Sequence, residues 1–212
     1  MSSMGQPTIG YDRVKRLLDL CGAAILLLIS LPVQLVVAIA VATKLGRPVL
    51  FRQLRPGRRG KIFTLIKFRS MTDVDPARGL ITDDERLTRF GAALRATSLD
   101  ELPTLVNVLR GDMSMVGPRP LLVSYLSRYT PDQARRHEVR PGVTGLAQVS
   151  GRNAVDWAER FKLDVQYVDS RSFALDIRIL VRTVASVFRR EGISADGHVT
   201  MHEFGAPDGE GQ

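Results

Sequence analysis

From Leu20 to Thr43 the chain carries 24 residues without a formal charge, bounded by Asp19 and Lys44. At 1.5 Å per residue a straight helix of that length reaches roughly 36 Å, enough to cross a bilayer. The run is too long for a secretory signal and ends in no small-residue cleavage site. Ser30-Leu31-Pro32 interrupts its middle. Proline cannot donate to the carbonyl four residues back, here Leu28, and its ring crowds that carbonyl, so a kink is expected. Ser30 can satisfy part of the freed backbone in lipid. Each half is then about 14 residues, roughly 21 Å, too short to cross alone. Arg13, Lys15 and Arg16 precede the run, and Lys44 and Arg47 follow it. Positive residues prefer the cytoplasmic side, so basic clusters at both ends favour a re-entrant helix–break–helix over a kinked single span. A buried helix of a soluble protein is the third reading.

Beyond this run the pattern shortens. Val49–Gln53 and Lys61–Phe68 are apolar, partly alternating runs around Pro56-Gly57 and Gly60, which predicts a β-hairpin with a basic tip. Asp83–Ala96 reads as a helix with Leu87, Phe90, Ala93 and Leu94 inward. A second helix, roughly Ser98–Leu109, ends at Gly111 as a left-handed cap. Pro131–Glu138 is a short charged helix, and Pro141-Gly142 and Gly145 mark turns. Ala154–Val168 is a helix whose Trp157, Phe161, Val165 and Val168 form a core stripe. In Phe173–Arg190, Ile177, Leu180, Val181, Val184 and Val187 or Phe188 share one face, and Arg178, Arg182, Ser186 and Arg189 line the other. That suits a helix lying in a membrane interface, and equally a plain amphipathic surface helix. The Gly- and acid-rich end from Gly205 reads as disordered. The fold class is mixed α/β, mainly helical, and the roughly 165 residues outside the apolar run suffice for one domain with its own core.

The net charge of +8 and pI near 10.2 point to anionic partners such as phospholipid head groups or nucleotides. Nucleic acid is disfavoured by the membrane segment and by the absence of a recognisable binding module. Cys21, the single cysteine, lies inside the apolar run and forms no internal disulfide.

Candidate chemistry concentrates in Thr97–Pro120. Asp100 and Glu101 stand at the start of the second helix, Ser98 and Glu101 have the spacing of a capping box, and Pro103 fits only a first turn. On spacing alone such acids are ordinarily caps. Arg95, Arg119 in Gly117-Pro118-Arg119-Pro120, and Arg152 in Gly151-Arg152-Asn153 change that picture, because the arginine fork binds phosphate bidentately and prolines hold it in place. Adjacent carboxylates suit Mg²⁺, which keeps several waters and bridges one or two carboxylates to substrate phosphate. A rival is Asp73-Val74-Asp75, a D-x-D pair of the kind that holds metal in nucleotide-sugar glycosyltransferases; it lies in a loop, outside any Rossmann-like unit. A rival of another class is a non-enzymatic basic membrane adaptor.

The broken apolar run, Lys67-Phe68-Arg69-Ser70-Met71, Ser98-Leu99-Asp100-Glu101-Leu102, Gly111-Asp112-Met113-Ser114, Val116-Gly-Pro-Arg-Pro120, Arg140-Pro-Gly-Val-Thr-Gly145 and Ala147-Gln-Val-Ser-Gly-Arg-Asn153 resemble the bacterial sugar transferases, the monotopic phosphoglycosyl transferases. The likeness covers nearly the whole chain in order. Length and the Gly197-His198-Val199-Thr200 ending are most similar to the small PglC-like members. The resemblance implies Mg²⁺-dependent transfer of a sugar-1-phosphate from a UDP-sugar to polyprenyl (undecaprenyl) phosphate at the inner face of the bacterial cytoplasmic membrane, with release of UMP. Asp100 is then the nucleophile and Glu101 its partner in metal binding or acceptor activation. Arg95, Arg119, Arg152, Asn153, Lys67 and Arg69 hold phosphate and nucleotide, and Ser30 and Pro32 form the membrane break. The expected organisation is a tail (1–12), a re-entrant membrane helix (13–46), a cytosolic catalytic domain at the membrane interface (47–190) and a C-terminal tail (191–212). The small members imply an N-acetylated sugar, diacetylbacillosamine or an N-acetylhexosamine; a galactose or glucose phosphate of exopolysaccharide synthesis is the alternative.

Overall fold

The computed structural model of the chain describes residues 9–151, 156–189 and Phe204. The apolar run folds as one hydrogen-bonded helix, α1 (Ile9–Lys44), with Pro32 inside it. The expected division into two helices is not seen, because proline deletes a single ladder bond and the neighbouring turns hold. Ser30 helps in a way different from that expected: its Oγ donates to the carbonyls of Leu26 (2.6 Å) and Leu27 (3.2 Å), not to the orphaned Leu28 carbonyl, and accepts from Gln34 Nε2 (2.9 Å). Among the less exposed positions of α1, Ala23, Leu27, Ser30, Gln34, Val37 and Val41 recur at alternating steps of four and three. Ala23 and Leu27 pack with Phe63, Leu105, Val108 and Met113, while Val37 and Val41 pack with Phe68 and Leu94. Leu28, Ile29, Leu35 and Val36 are exposed, as is Cys21. At the N-terminal end Arg16 donates to the carbonyls of Val108 (2.7 Å) and Leu109 (3.1 Å), and Asp19 accepts from the Met115 N–H (3.0 Å).

The hairpin is longer than its alternation suggested. Strands β1 (Leu50–Pro56) and β2 (Ile62–Phe68) pair antiparallel from Leu50 opposite Phe68 to Pro56 opposite Ile62. The expected helix 83–96 is instead two, α2 (Asp83–Arg86) and α3 (Arg89–Ala96). Thr88 breaks them by capping the second, its Oγ1 accepting from the Gly91 N–H (3.1 Å). The second expected helix begins as a 3-10 segment, Leu99–Thr104, and becomes α-helical only in α4 (Leu105–Arg110), which ends at Gly111 with φ 91° as anticipated. Ser98 forms no capping box. It sits in the left-handed region (φ 56°), two residues past the end of α3, and its side chain caps nothing.

A second sheet was not anticipated: β3 (Ser114–Val116) and β4 (Gly142–Thr144) pair parallel. Three residues are too few to show alternation. At this crossing a Cβ on Gly142 would lie 2.1 Å from the Gly117 nitrogen, so glycine is what lets the two segments touch. The remaining helices are α5 (Pro131–Ala134), which passes into a 3-10 turn at Arg135–Glu138, α6 (Leu146–Val149), α7 (Trp157–Ser170) and α8 (Phe173–Arg189). On α8 Ile179 is buried and Leu175 and Leu180 pack beside it, so Leu180 belongs to the core and not to the outer face. Phe173, Ile177, Val181 and Val184 remain exposed on one side.

The outer edge of β2 is closed by side chains where a third strand would lie. Asn107, fully buried, accepts from the Ile66 N–H (3.1 Å) and donates to the Thr64 carbonyl (2.8 Å), and Thr104 Oγ1 donates to the Ile66 carbonyl (3.0 Å). Asn107→Ala leaves a buried donor and acceptor unpaired and should cost about 2–4 kcal/mol in thermal or urea unfolding. A loss below about 1 kcal/mol would show that this edge needs no closure.

Candidate active site

The 3-10 segment Leu99–Thr104 lies against β2, and this contact gathers Asp100, Glu101 and Lys67. Asp100 is 4 % exposed and receives no hydrogen bond among the described residues. Burial, and after it the neighbouring Glu101 carboxylate, raises its carboxyl from the ordinary 3.8 to about 6, against the opposing pull of Lys67, Arg119 and Arg95. Glu101 is engaged: Arg119 Nη2 donates to its Oε1 at 2.8 Å. That carboxylate in turn raises the Arg119 guanidinium. Lys67, whose Nζ sits 5.4 Å over the Phe51 ring, is lowered by burial while Asp100 pulls it upward.

Each cation is placed by its own support. Arg95, at the end of α3, donates from Nε to Ser70 Oγ (2.9 Å). A Cβ on Gly91 would lie 1.8 Å from the Ser70 carbonyl oxygen, so only glycine allows α3 to approach this closely. The backbone of Arg119 is fixed by Arg136, which donates to the Arg119 carbonyl (2.7 Å) and forms a buried ion pair with Asp164 (2.7 Å). Pro118 accepts from the Gly142 N–H (2.9 Å), which anchors the turn to β4. One carboxylate free of hydrogen bonds, flanked by three cations, can attack or release a phosphoryl group.

The sequence model of the bacterial sugar transferases matches residues 10–190. The chain belongs to this family. A sugar transferase of Bacillus subtilis, EpsL, itself uncharacterised, is 53% identical over 192 residues, covering 90% of this chain and 95% of that protein. The UDP-glucose:undecaprenyl-phosphate glucose-1-phosphate transferase of Caulobacter vibrioides is 42% identical over 195 residues, 85% of this chain and 72% of the relative. The undecaprenyl-phosphate galactose phosphotransferase of Salmonella typhimurium is 41% identical over 197 residues, but this chain spans 41% of its length.

Not every residue expected in the sugar transferase site is there. Asp100, Glu101, Lys67, Arg95 and Arg119 come together, whereas Arg152 and Asn153 lie outside the described residues. Arg69 is used elsewhere: buried, it donates to the Leu45 carbonyl and pairs with Asp73 at 3.0 Å, tying the end of α1 to β2. The rival D-x-D pair is occupied as well, since Asp73 holds Arg69 and Asp75 accepts from the Arg78 N–H (3.3 Å). A cavity of about 710 Å³ beside Asp73 is lined by Pro48–Arg52 and Arg69 and includes neither Asp100 nor Glu101. Arg136, Ser70 and Asn107 escaped sequence reasoning because they act on backbone or through another residue; Asn107 and Ser70 had no charge or spacing to mark them. Among the described residues no third His, Cys, Asp or Glu joins Asp100 and Glu101 as a metal ligand. Two carboxylates amid cations do not form a closed cage, but fit a Mg²⁺ that keeps waters and shares a substrate diphosphate.

The raised carboxyl has a stability consequence. Asp100 holds its proton more tightly folded than unfolded, so native stability falls as pH rises from about 4 to about 6. Asp100→Asn should therefore raise thermal stability above pH 6, by on the order of 1–3 kcal/mol, and leave it unchanged below about pH 4. Equal melting temperatures at pH 8 would contradict this.

Proposed function

We propose that this sugar transferase moves a sugar-1-phosphate from a UDP-sugar to polyprenyl phosphate through a phosphosugar ester of Asp100. The observation that carries this is the buried Asp100 carboxylate, without a hydrogen-bond partner among the described residues and opposed by Lys67, Arg95 and Arg119. In the first displacement an Asp100 oxygen bonds to the sugar-bearing phosphorus. The bond from that phosphorus toward the nucleotide breaks, and its electron pair leaves on UMP. In the second, an oxygen of the acceptor phosphate bonds to the same phosphorus and the Asp100 carboxylate departs. No proton need move in either step, which suits a site whose nucleophile is a carboxylate among fixed cations. Glu101, joined by Asp100, would hold Mg²⁺, which when bound neutralises phosphate charge. Glu101 meanwhile keeps Arg119 aimed at the site through their 2.8 Å contact.

The names of the relatives bear on the donor sugar. Those named by sugar act on glucose or galactose, so a hexose is favoured over the N-acetylated sugar that the small members imply. Supplied with UDP-glucose or UDP-galactose and polyprenyl phosphate, the protein should release UMP, and Asp100→Asn should lower turnover about 10³-fold or more. Release of UDP, or an Asp100→Asn enzyme of near-normal rate, would contradict the mechanism. A panel that includes UDP-N-acetylhexosamines separates the sugar from the chemistry.

The membrane arrangement we propose is re-entrant, in the cytoplasmic membrane with the domain on the cytoplasmic face. Both ends of α1 touch the same domain: Arg16 and Asp19 reach α4 and β3, and Val41 packs on Phe68 and Leu94. A spanning helix would carry one end about 30 Å away from a domain on one face. The exposed Phe173, Ile177, Val181 and Val184 of α8, beside exposed Arg178 and Arg182, suit the interface plane. In a Cys21→Ser background, Gln6→Cys and Arg47→Cys should both resist a membrane-impermeant maleimide in intact cells. Labelling of one of the two from outside would establish a span.

A further inference from the structure

One face of the β1–β2 hairpin carries Lys67 opposite Phe51 and, two pairs further along the same face, Arg55 opposite Phe63. Gln53 stands between them, its Oε1 accepting from Arg55 Nη2 (2.5 Å). The Nε of Arg55 is buried and has no hydrogen-bond partner among the described residues. Burial, and after it the charge of Arg119, lowers the Arg55 guanidinium to about 10, and no carboxylate stands among the groups acting on it. The Glu101 carboxylate is already held by Arg119 at 2.8 Å. Charges therefore run from Arg95 and Lys67 around Asp100, through the Glu101–Arg119 pair, to an arginine that no carboxylate among the described residues neutralises. A half-buried guanidinium whose Nε–H is enclosed and idle, beside a second cation, is unfavourable until an anion fills the space, and the arginine fork matches phosphate.

We propose that Arg55 and Arg119 form the subsite of the departing nucleotide, holding the phosphate that leaves with UMP, while Lys67 and Arg95 face the phosphate attacked by Asp100. The assignment rests on the phosphoglycosyl-transfer reading above. As the Asp100 oxygen bonds to the sugar-bearing phosphorus, the electron pair of the breaking bond collects on the oxygen of the other phosphate. Two guanidinium groups already in place stabilise that charge without reorganisation. UMP carries this phosphate and lacks the transferred one, so it probes this subsite alone.

The test is UMP binding by isothermal titration calorimetry to the full-length protein in lipid nanodiscs, with kcat/KM for polyprenyl phosphate measured alongside. Arg55→Gln should weaken UMP about tenfold or more and leave kcat/KM for polyprenyl phosphate, which reports the second displacement alone, unchanged. Arg55→Lys should weaken UMP about threefold or more, because an ammonium cannot supply the two-pronged contact. Wild-type UMP affinity in Arg55→Gln, or a lowered kcat/KM for polyprenyl phosphate in place of a weakened UMP, overturns the assignment. Should Arg55→Gln fail to fold, unchanged UMP affinity in Arg55→Lys overturns it instead. A wild-type protein that binds no UMP removes the phosphoglycosyl-transfer reading itself, and the subsite with it.

Discussion

The closure of the β2 edge by Thr104 and Asn107 is the constraint on which the site depends. These two side chains take the hydrogen bonds of Thr64 and Ile66 that a third strand would otherwise take. They thereby fix the segment bearing Asp100 and Glu101 against the strand bearing Lys67. The same segment lies along α1, where Leu105 and Val108 pack with Ala23 and Arg16 caps the last carbonyls of α4. A cation at a helix C-terminus is favourable on electrostatic grounds as well. The apolar helix is therefore part of the core that positions the carboxylates, so in the proposed re-entrant arrangement the depth of that helix in lipid would set the height of Asp100 above it.

The site is held in a costly state. Ser98 is a non-glycine residue in the left-handed region, a conformation disfavoured by roughly 1–2 kcal/mol. Two residues later Asp100 is buried with its charge unsatisfied by any hydrogen bond among the described residues. Lys67, Arg95 and Arg55 are likewise lowered by burial. Structural ion pairs elsewhere are resolved differently, as in Arg136 with Asp164, where each buried charge has its partner. Partly buried cations without such partners mark a candidate site for an anionic substrate.

Much of this was legible in the sequence, for reasons that differ by element. The apolar run, the hairpin, Gly111 as a left-handed cap and the outward apolar face of α8 follow from periodicity and from glycine conformation, which are local properties. Asp100, Glu101, Arg95, Arg119 and Lys67 were marked by their motifs. What failed was decided by tertiary contact. Ser98 has the spacing of a cap, yet in the link between α3 and the next segment it takes a left-handed conformation in which its side chain caps nothing. Arg69 shares a motif with Lys67, but it lies one residue past the end of β2, where the Leu45 carbonyl and Asp73 take its guanidinium. The β3–β4 pair joins segments about 28 residues apart through three residues each, below the reach of any pattern.

Intact-protein mass spectrometry after incubation with UDP-hexose in the absence of polyprenyl phosphate tests the central claim most directly. A nucleophilic Asp100 predicts a mass gain of one hexose phosphate, localised by peptide mapping to Asp100, absent from Asp100→Asn and discharged when polyprenyl phosphate is added. An unmodified protein that nevertheless transfers the sugar phosphate once the acceptor arrives, or an adduct on any other residue, would contradict it.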